Sequence, residues 1–393
     1  MSEAEKTRPR LSLGFIGGGI NSAVGKVHYG ASRLDGRWRL DAGAFSTDAA
    51  RSHQTAEQWH VAPERSYADW REFLAAERDR LDAVAVLTPT PLHVDMVIEC
   101  LKAGLPVICE KSLTRSCEEI DRIRAAHDPG KDFLAVTYNY SGYPMVRELR
   151  ERIAAGELGE IEQIHLEMPQ EGFVRPPDIA GRAAPPQAWR LEDDEVPTVC
   201  LDLGVHLHHL ASFLLGTRPE EVMADFGTYS PYRQIVDYVS LWARYPNNVR
   251  CSMWFTKTAV GRRNGMKVRV FGSRGSAEWV QVDPDELRLD SVDGNRCILD
   301  RGGSGHVIRD PRYNRMKAGH PAGFVEAFAN LYVDLADAVL AHRKDGAQQP
   351  HPYVHGLDEA EAGIRFFAAA GQSSRSGRWV RLDDFRAETA QRG

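Results

Sequence analysis

Short apolar runs and helical periodicities alternate over the first third of the chain. Leu11 to Ile16 is an apolar run that ends directly at Gly17-Gly18-Gly19. Trp38 to Phe45 alternates in part and stops at Ser46-Thr47-Asp48. A helical pattern then covers Ala49 to Trp59, with Thr47 or Asp48 placed to cap it. Leu81 to Leu87 reads as a buried strand ending at Thr88-Pro89-Thr90-Pro91. A helix from about His93 to Ala103 follows, closed by Gly104, and then a short strand, Pro106 to Cys109. Strands and helices in this order predict a doubly wound parallel sheet with helices on both faces. From about Ile161 the pattern changes. The runs 161–168, 239–245, 249–255 and 268–271 have few helices between them, which predicts an open, mainly antiparallel sheet.

In a parallel sheet, ligands bind beyond the carboxyl ends of the strands. Glycines after the first strand let the backbone approach a pyrophosphate seated on amide groups at a helix N-terminus. The loop here is irregular: Gly17-x-Gly19 is followed by five residues before Gly25, where the usual spacing is two. Ser22 stands where a third glycine would fall at the short spacing. A plain strand-to-helix turn explains three glycines about as well, and the βαβ context favours the dinucleotide. An acidic residue ending the second strand would bind the adenosine ribose and repel a 2′-phosphate. Ser46 occupies that end, with Asp48 and Arg51 beyond it. NAD is favoured, and NADP stays open.

Length and composition narrow the class. A chain of 393 residues suits two domains, expected as 1–140 for the nucleotide and 141–393 for substrate binding and oligomerisation. Hydrophobic and charged residues, 42% and 26%, are those of a soluble globular protein. No apolar run approaches the ~18 residues of a membrane span. Met1 to Arg10 is polar and lacks the apolar core of a signal peptide, so the expected location is the cytoplasm. The net charge of −6 gives no reason to expect nucleic acid or membrane partners. Six cysteines without a C-x-x-C pair read as buried thiols rather than a zinc or disulfide framework.

The segment Asp82 to Ser112 carries a specific likeness. Thr88-Pro89 leads to His93, then through an apolar helix to Glu110-Lys111-Ser112; Asp202-Leu-Gly-Val-His206 follows much later. These resemble the T-P-x-x-x-H, E-K-P and D-x-G-x-H motifs of the Gfo/Idh/MocA family of sugar and inositol oxidoreductases. Ser112 departs from the family's proline, so a less constrained lysine loop is expected. The likeness extends through Phe133 to Tyr138, Gly156 to Ile161, Gly319-His320-Pro321, Phe324 to Leu340 and Gly377 to Leu382. It implies an N-terminal Rossmann domain followed by an α+β domain whose sheet supports homodimers or homotetramers. It also implies a cofactor site drawing on Gly17, Gly19, Ser22, Gly25, Ser46, Asp48, Arg51, Thr88, Pro89, Thr90, His93, Glu110, Lys111 and Asn139.

The resemblance further implies chemistry. Oxidising a secondary alcohol needs a base for the hydroxyl proton, and histidine titrates near operating pH. Asp202 and His206 are four apart, so on a helix they face the same way. A lone pair at that spacing is usually a surface or capping pair. In the family, His206 would accept the proton, Asp202 would orient it, and Lys111 would bind the reacting oxygen and stabilise negative charge. Glu110 would position the lysine or lie near the nicotinamide. His206, His208 and His209 invite a metal reading, but no carboxylate or thiolate set completes one, and none is expected. His209 is then a substrate contact or a core histidine.

The stretch Gln170 to Pro197 is rich in proline and arginine and lacks periodicity, as functional loops often do. Arg175, Arg182, Trp189 and Arg190 are its substrate-contact candidates, with Tyr138 beyond it. Lys257 to Arg274 holds six basic residues and no acidic one. Arg309, Arg312, Arg315 and Lys317 form a second cluster. Arginine suits a carboxylate, phosphate or sulfonate, and a solvated or interfacial face explains charge runs equally. Three functions follow. The first is an NAD(P)-dependent sugar or polyol dehydrogenase, acting on a neutral or an anionic sugar. The second is an NAD-dependent glycoside hydrolase that oxidises, eliminates, hydrates and reduces, acting on an anionic glycoside such as a sulfonated or carboxylated sugar. It needs an extra base, for which Tyr138, Tyr140 and His209 are candidates. The third is a non-enzymatic dinucleotide sensor.

Overall fold

The structure is a computed structural model and describes residues 9–175 and 186–385. In chain order the strands are β1 (Leu11–Gly17), β2 (Trp38–Ala44), β3 (Ala83–Leu87), β4 (Val107–Cys109), β5 (Leu134–Val136), β6 (Ile161–Pro169), β7 (Glu221–Gly227), β8 (Tyr238–Arg244), β9 (Arg250–Thr256), β10 (Lys267–Gly272), β11 (Gly275–Val280), β12 (Asp283–Ser291), β13 (Arg296–Asp300) and β14 (Val380–Arg381). The α-helices are α1 (Ala23–Leu34), α2 (Ala49–Gln58), α3 (Trp70–Glu77), α4 (His93–Lys102), α5 (Cys117–Ala126), α6 (Pro144–Ala154), α7 (Val205–Leu215), α8 (Phe324–Asp345) and α9 (Leu357–Ser376). The chain forms two compact units.

Of the described residues, the first unit comprises 9–114, 118–142 and 323–360. Its parallel sheet has the order β2-β1-β3-β4-β5. Strand β3, Ala-Val-Ala-Val-Leu, is buried throughout, the near-continuous apolar run required of a strand covered on both faces. Sequence order reverses between β1 and β3, so a crevice opens past their carboxyl ends. Gly17 lies at the end of β1 and Glu110 just after β4.

A division at residue 140 assigns everything later to the second domain. The structure instead returns 323–360 to the first unit. The reason is packing. Phe328, Leu331, Tyr332, Leu335 and Val339 of α8 share one buried cluster with Leu13, Phe15 and Trp38. The Trp38 indole donates to the Tyr332 carbonyl at 2.7 Å. Apolar periodicity marks α8 as amphipathic, but it does not say which sheet covers that face.

Of the described residues, the second unit comprises 115–117, 143–175, 186–322 and 361–385. Its nine-stranded sheet runs β13-β12-β11-β10-β6-β9-β8-β7-β14. Among the described residues, only its β6/β9 pairing is parallel. Alternation sets its two faces. Ile164, Leu166 and Met168 of β6 are buried, whereas Glu162 and Gln163 are exposed. The hairpin β12–β13 had no apolar run to announce it, because Asp-Pro-Asp-Glu-Leu-Arg-Leu-Asp-Ser buries little but Leu287. Among the described residues, no helix is long and apolar enough to cross a membrane.

Candidate active site

Gly17 and Gly18 adopt φ of +80° and +71°, a region that favours glycine. A Cβ on Gly19 would lie 2.9 Å from the Phe45 carbonyl oxygen. One on Gly25 would lie 1.7 Å from the Gly18 oxygen, so α1 touches the loop backbone directly. Gly25 thus does the work of the third fingerprint glycine, close helix–strand packing, despite its longer spacing. Ser22 is not a glycine substitute but the N-cap of α1, its hydroxyl accepting from the Gly25 amide at 3.1 Å. The intervening residues are absorbed in a turn closed by Ser22 N to Gly19 O at 2.7 Å. A bare loop with a capped helix behind it is a cradle for a pyrophosphate. Side chains at these glycines would fill it, so the residues fit a dinucleotide.

At the end of β2, the Ser46 hydroxyl accepts from the Asp48 amide at 3.2 Å. Asp48 caps α2 through the Arg51 amide at 3.3 Å, with the Arg51 guanidinium 3.9 Å from its carboxylate. Asp48 is therefore engaged as a helix cap. At the end of β3, the Thr88 methyl would meet a Cβ on Gly17 at 2.7 Å. Pro89 precedes a short 3-10 turn that begins at buried Thr90. His93, fully buried, faces the Thr88 carbonyl at 2.8 Å and the Ser112 carbonyl at 3.0 Å. Burial pushes its pKa down.

That contact bears on the lysine loop. Ser112 stands where the family has proline, which by itself implies a less constrained loop. Instead Ser112 is buried and its carbonyl is held by His93. The Lys111–Ser112 peptide is cis. Before it, Glu110 accepts from His28 at 3.0 Å and from the Thr137 hydroxyl. Burial pushes the Glu110 carboxyl up, but His28, Lys111 and Thr137 together hold it below the ordinary range. His28 was not singled out in the sequence; its spacing three residues after Gly25 on α1 was the available signal. Asn139, in a short turn after β5, is buried and its amide nitrogen bonds to no described protein atom.

In the second unit, Asp202 sits in a π-helical turn, Cys200–Gly204, that runs into α7. Such turns recur at functional sites. On a regular α-helix Asp202 and His206 would share a face; only His206 lies on one. Each Asp202 oxygen carries a cation: Arg190 lies 2.9 Å from Oδ1 and Lys257 lies 2.5 Å from Oδ2. Lys257 appeared in the sequence only as one member of a basic run. His206 and His209 are both buried near the start of α7, and His209 stacks on Phe213 at 5.9 Å. His208 turns elsewhere, against Phe366, and burial drops it to about 3. Among the described residues, no group of three or more His, Cys, Asp or Glu is placed to hold a metal.

The arginine candidates divide. Arg175 pairs with Glu171 at 3.1 Å, and Arg190 pairs with Asp202 while lying 4.6 Å over the Trp189 ring. Trp189 itself donates to Gln187 at 2.9 Å. Arg182 lies outside the described residues. Tyr138 belongs to the first unit, buried edge-on to His355, and burial pushes its hydroxyl pKa up. That is the wrong direction for a base.

Residues 11–138 match the oxidoreductase family with an NAD-binding Rossmann fold, and residues 146–278 match the GFO/IDH/MocA C-terminal domain. The chain is 29% identical over 383 residues to the oxidoreductase YfiI of Bacillus subtilis, covering 94% of this chain and 96% of YfiI. It is 26% identical to levoglucosan dehydrogenase of Pseudarthrobacter phenanthrenivorans, over 71% of this chain and 76% of that enzyme. A crystal structure of an inositol dehydrogenase homolog from Azotobacter vinelandii, complexed with NADH and myo-inositol, superposes with a TM-score of 0.82. It is 31% identical, over 95% of this chain and 98% of that one.

Proposed function

This chain belongs to the Gfo/Idh/MocA family as an NAD-binding oxidoreductase of the sugar and inositol dehydrogenase type, and we propose that it transfers a hydride between NAD and a secondary hydroxyl of a neutral sugar or polyol. The observation that carries the reading is the glycine cradle, in which Gly25 lies against the Gly18 carbonyl at the point where strand order reverses. When bound, the nicotinamide supplies the hydride acceptor. Gly17 to Gly19 and the first turn of α1 would hold the pyrophosphate.

Lys111 binds the reacting hydroxyl and stabilises the negative charge that grows on its oxygen. His206 accepts the hydroxyl proton, and Asp202 keeps the imidazole oriented for that transfer. A neutral substrate is supported by the arginines: Arg175 and Arg190 each already have a carboxylate partner. The names of the relatives, levoglucosan dehydrogenase and an inositol dehydrogenase homolog, lend the same support.

We also expect a homodimer or homotetramer. The second unit exposes Trp242 and Ile298, at 55% and 60%, on its sheet, and large apolar side chains left in water favour association.

The test is to incubate the protein and NAD with neutral and anionic sugars, polyols and their aryl glycosides. NADH absorbance and aglycone release are followed in one cuvette. NADH accumulating with a neutral polyol is the expected result. NADH only with sugar acids would overturn the neutral assignment. Aglycone release that needs NAD but leaves no stoichiometric NADH would make the enzyme a redox-neutral glycosidase. NADH binding without turnover of any substrate would favour a dinucleotide sensor.

A further inference from the structure

Lysine is ordinarily a mobile surface charge. Lys257 is the reverse. Its amide donates to the Asp237 carbonyl at 2.9 Å, and its carbonyl accepts from the Phe173 amide at 3.0 Å. Its side chain is only 12% exposed. The ammonium lies 2.6 Å from Gln170 Oε1 and 2.5 Å from Asp202 Oδ2. Gln170 is held in turn: its side-chain amide donates to Asn264 at 2.8 Å, its backbone amide to the Thr256 carbonyl at 2.8 Å. The pairing of β6 with β9 therefore continues past both strands into a polar latch whose tip is the lysine ammonium.

The carboxylate it meets carries a different cation on each oxygen, Lys257 on Oδ2 and Arg190 on Oδ1. The two are not equivalent. Arg190 comes from a short turn, is 32% exposed, and shares its guanidinium with the Trp189 ring. Lys257 is the buried, doubly anchored member. A carboxylate clamped in this way keeps its charge and its plane, and those are the two properties an orienting acid must have.

We propose that Lys257 is a positioning residue, which fixes Asp202 as an oriented anion and acts on the proton-accepting His206 through it. The inference rests on the assignment of Asp202 and His206 as the proton-handling pair. The cations paired with Asp202 are Arg190 from the 188–191 turn and Lys257 from beyond β9, and the turn that holds Asp202 runs directly into α7, which carries His206 and His209. Removing the Lys257 charge leaves the Asp202 anion less compensated, which favours the imidazolium form of His206.

The test does not need the natural substrate. Ring-labelled histidine is followed by NMR through a pH titration, the His206 signal being identified by its loss in His206→Asn. Lys257→Met is expected to raise the His206 midpoint by about one pH unit, and Lys257→Arg to restore it. With whichever polyol the panel finds, Lys257→Met should lower kcat about tenfold and move the acidic limb of the pH profile, with KM little changed. A folded Lys257→Met with an unmoved His206 midpoint would overturn the proposal, even if its activity fell. Should Lys257→Met fail to fold, Lys257→Gln, which is one atom shorter but keeps a polar donor without the charge, is read in the same way. A panel in which no sugar is oxidised would defeat the function proposed above, while the titration would still decide the role of Lys257.

Discussion

His28 Nε2 lies 3.0 Å from Glu110 Oε1, and its Nδ1 lies 2.7 Å from the Tyr332 hydroxyl. One neutral imidazole satisfies both: the hydroxyl donates to Nδ1, and Nε2–H donates to the carboxylate. All three side chains are almost fully buried. A helix from late in the chain therefore supports, through one histidine, the carboxylate that precedes Lys111.

This network predicts a pH signature. Glu110 is held below the ordinary carboxylate range, so it contributes stability above its unfolded pKa of about 4.5, and that contribution is lost as pH falls through the lower folded value. Glu110→Gln should cost about 1–3 kcal/mol at pH 7. The gap from the parent should narrow as the medium is acidified. Urea unfolding at several pH values between neutrality and acid checks both statements.

Gly25→Ala should damage cofactor binding. Its Cβ would stand 1.7 Å from a backbone oxygen of the glycine loop, where no flexible side chain can yield. The loop or α1 must move. NADH affinity, read from tryptophan-to-NADH energy transfer, is expected to fall at least about tenfold. Unchanged affinity would show that the cradle does not hold the pyrophosphate.

His208 provides a control that should not touch the chemistry. Burial lowers it to about 3, and its Nε2 has no described hydrogen-bond partner. A histidine held neutral in the fold stabilises fully above its unfolded pKa of about 6.5, and stability is lost as pH falls from there toward the folded value. His208→Leu removes that loss. Between pH 6.5 and 4 its unfolding free energy should decline less steeply than the parent's, by roughly one proton's worth of slope. NADH affinity should be unaltered.

Ser46→Asp tests the choice of cofactor. Asp48 is occupied as the cap of α2, and Ser46, two residues past the end of β2, is uncharged. An added carboxylate should leave NADH binding within a few-fold and weaken NADPH binding at least about tenfold through repulsion of the 2′-phosphate. Paired titrations with the two reduced cofactors read the ratio directly.

The alternating strands and helices before residue 110, and the switch to sheet after 160, were legible because each element is patterned by its own burial. Strand β3 is apolar on both faces and β6 on one, and periodicity reports that without any knowledge of neighbours. The motif residues Glu110-Lys111 and Asp202-x-x-x-His206 were legible for a different reason: they resemble a family, and their chemistry travels with the resemblance. Strands β12 and β13 leave no such pattern, because an edge hairpin rich in Asp, Glu and Arg buries almost nothing.

What the sequence by itself determined was therefore local: the order of elements, the glycine loop and the residue types that can move a proton. Tertiary structure alone decided which distant segments complete each part. Helix α8 joins the nucleotide-binding unit because Tyr332 and Phe328 close over Trp38 and His28. Asp202 acquires Lys257 because the extension of β9 passes beside the π turn. Gly25 replaces the expected third glycine because a turn absorbs the extra residues and sets α1 on the loop. Those contacts depend on the packing of surfaces far apart in the chain, and periodicity and spacing carry no record of which surfaces will meet.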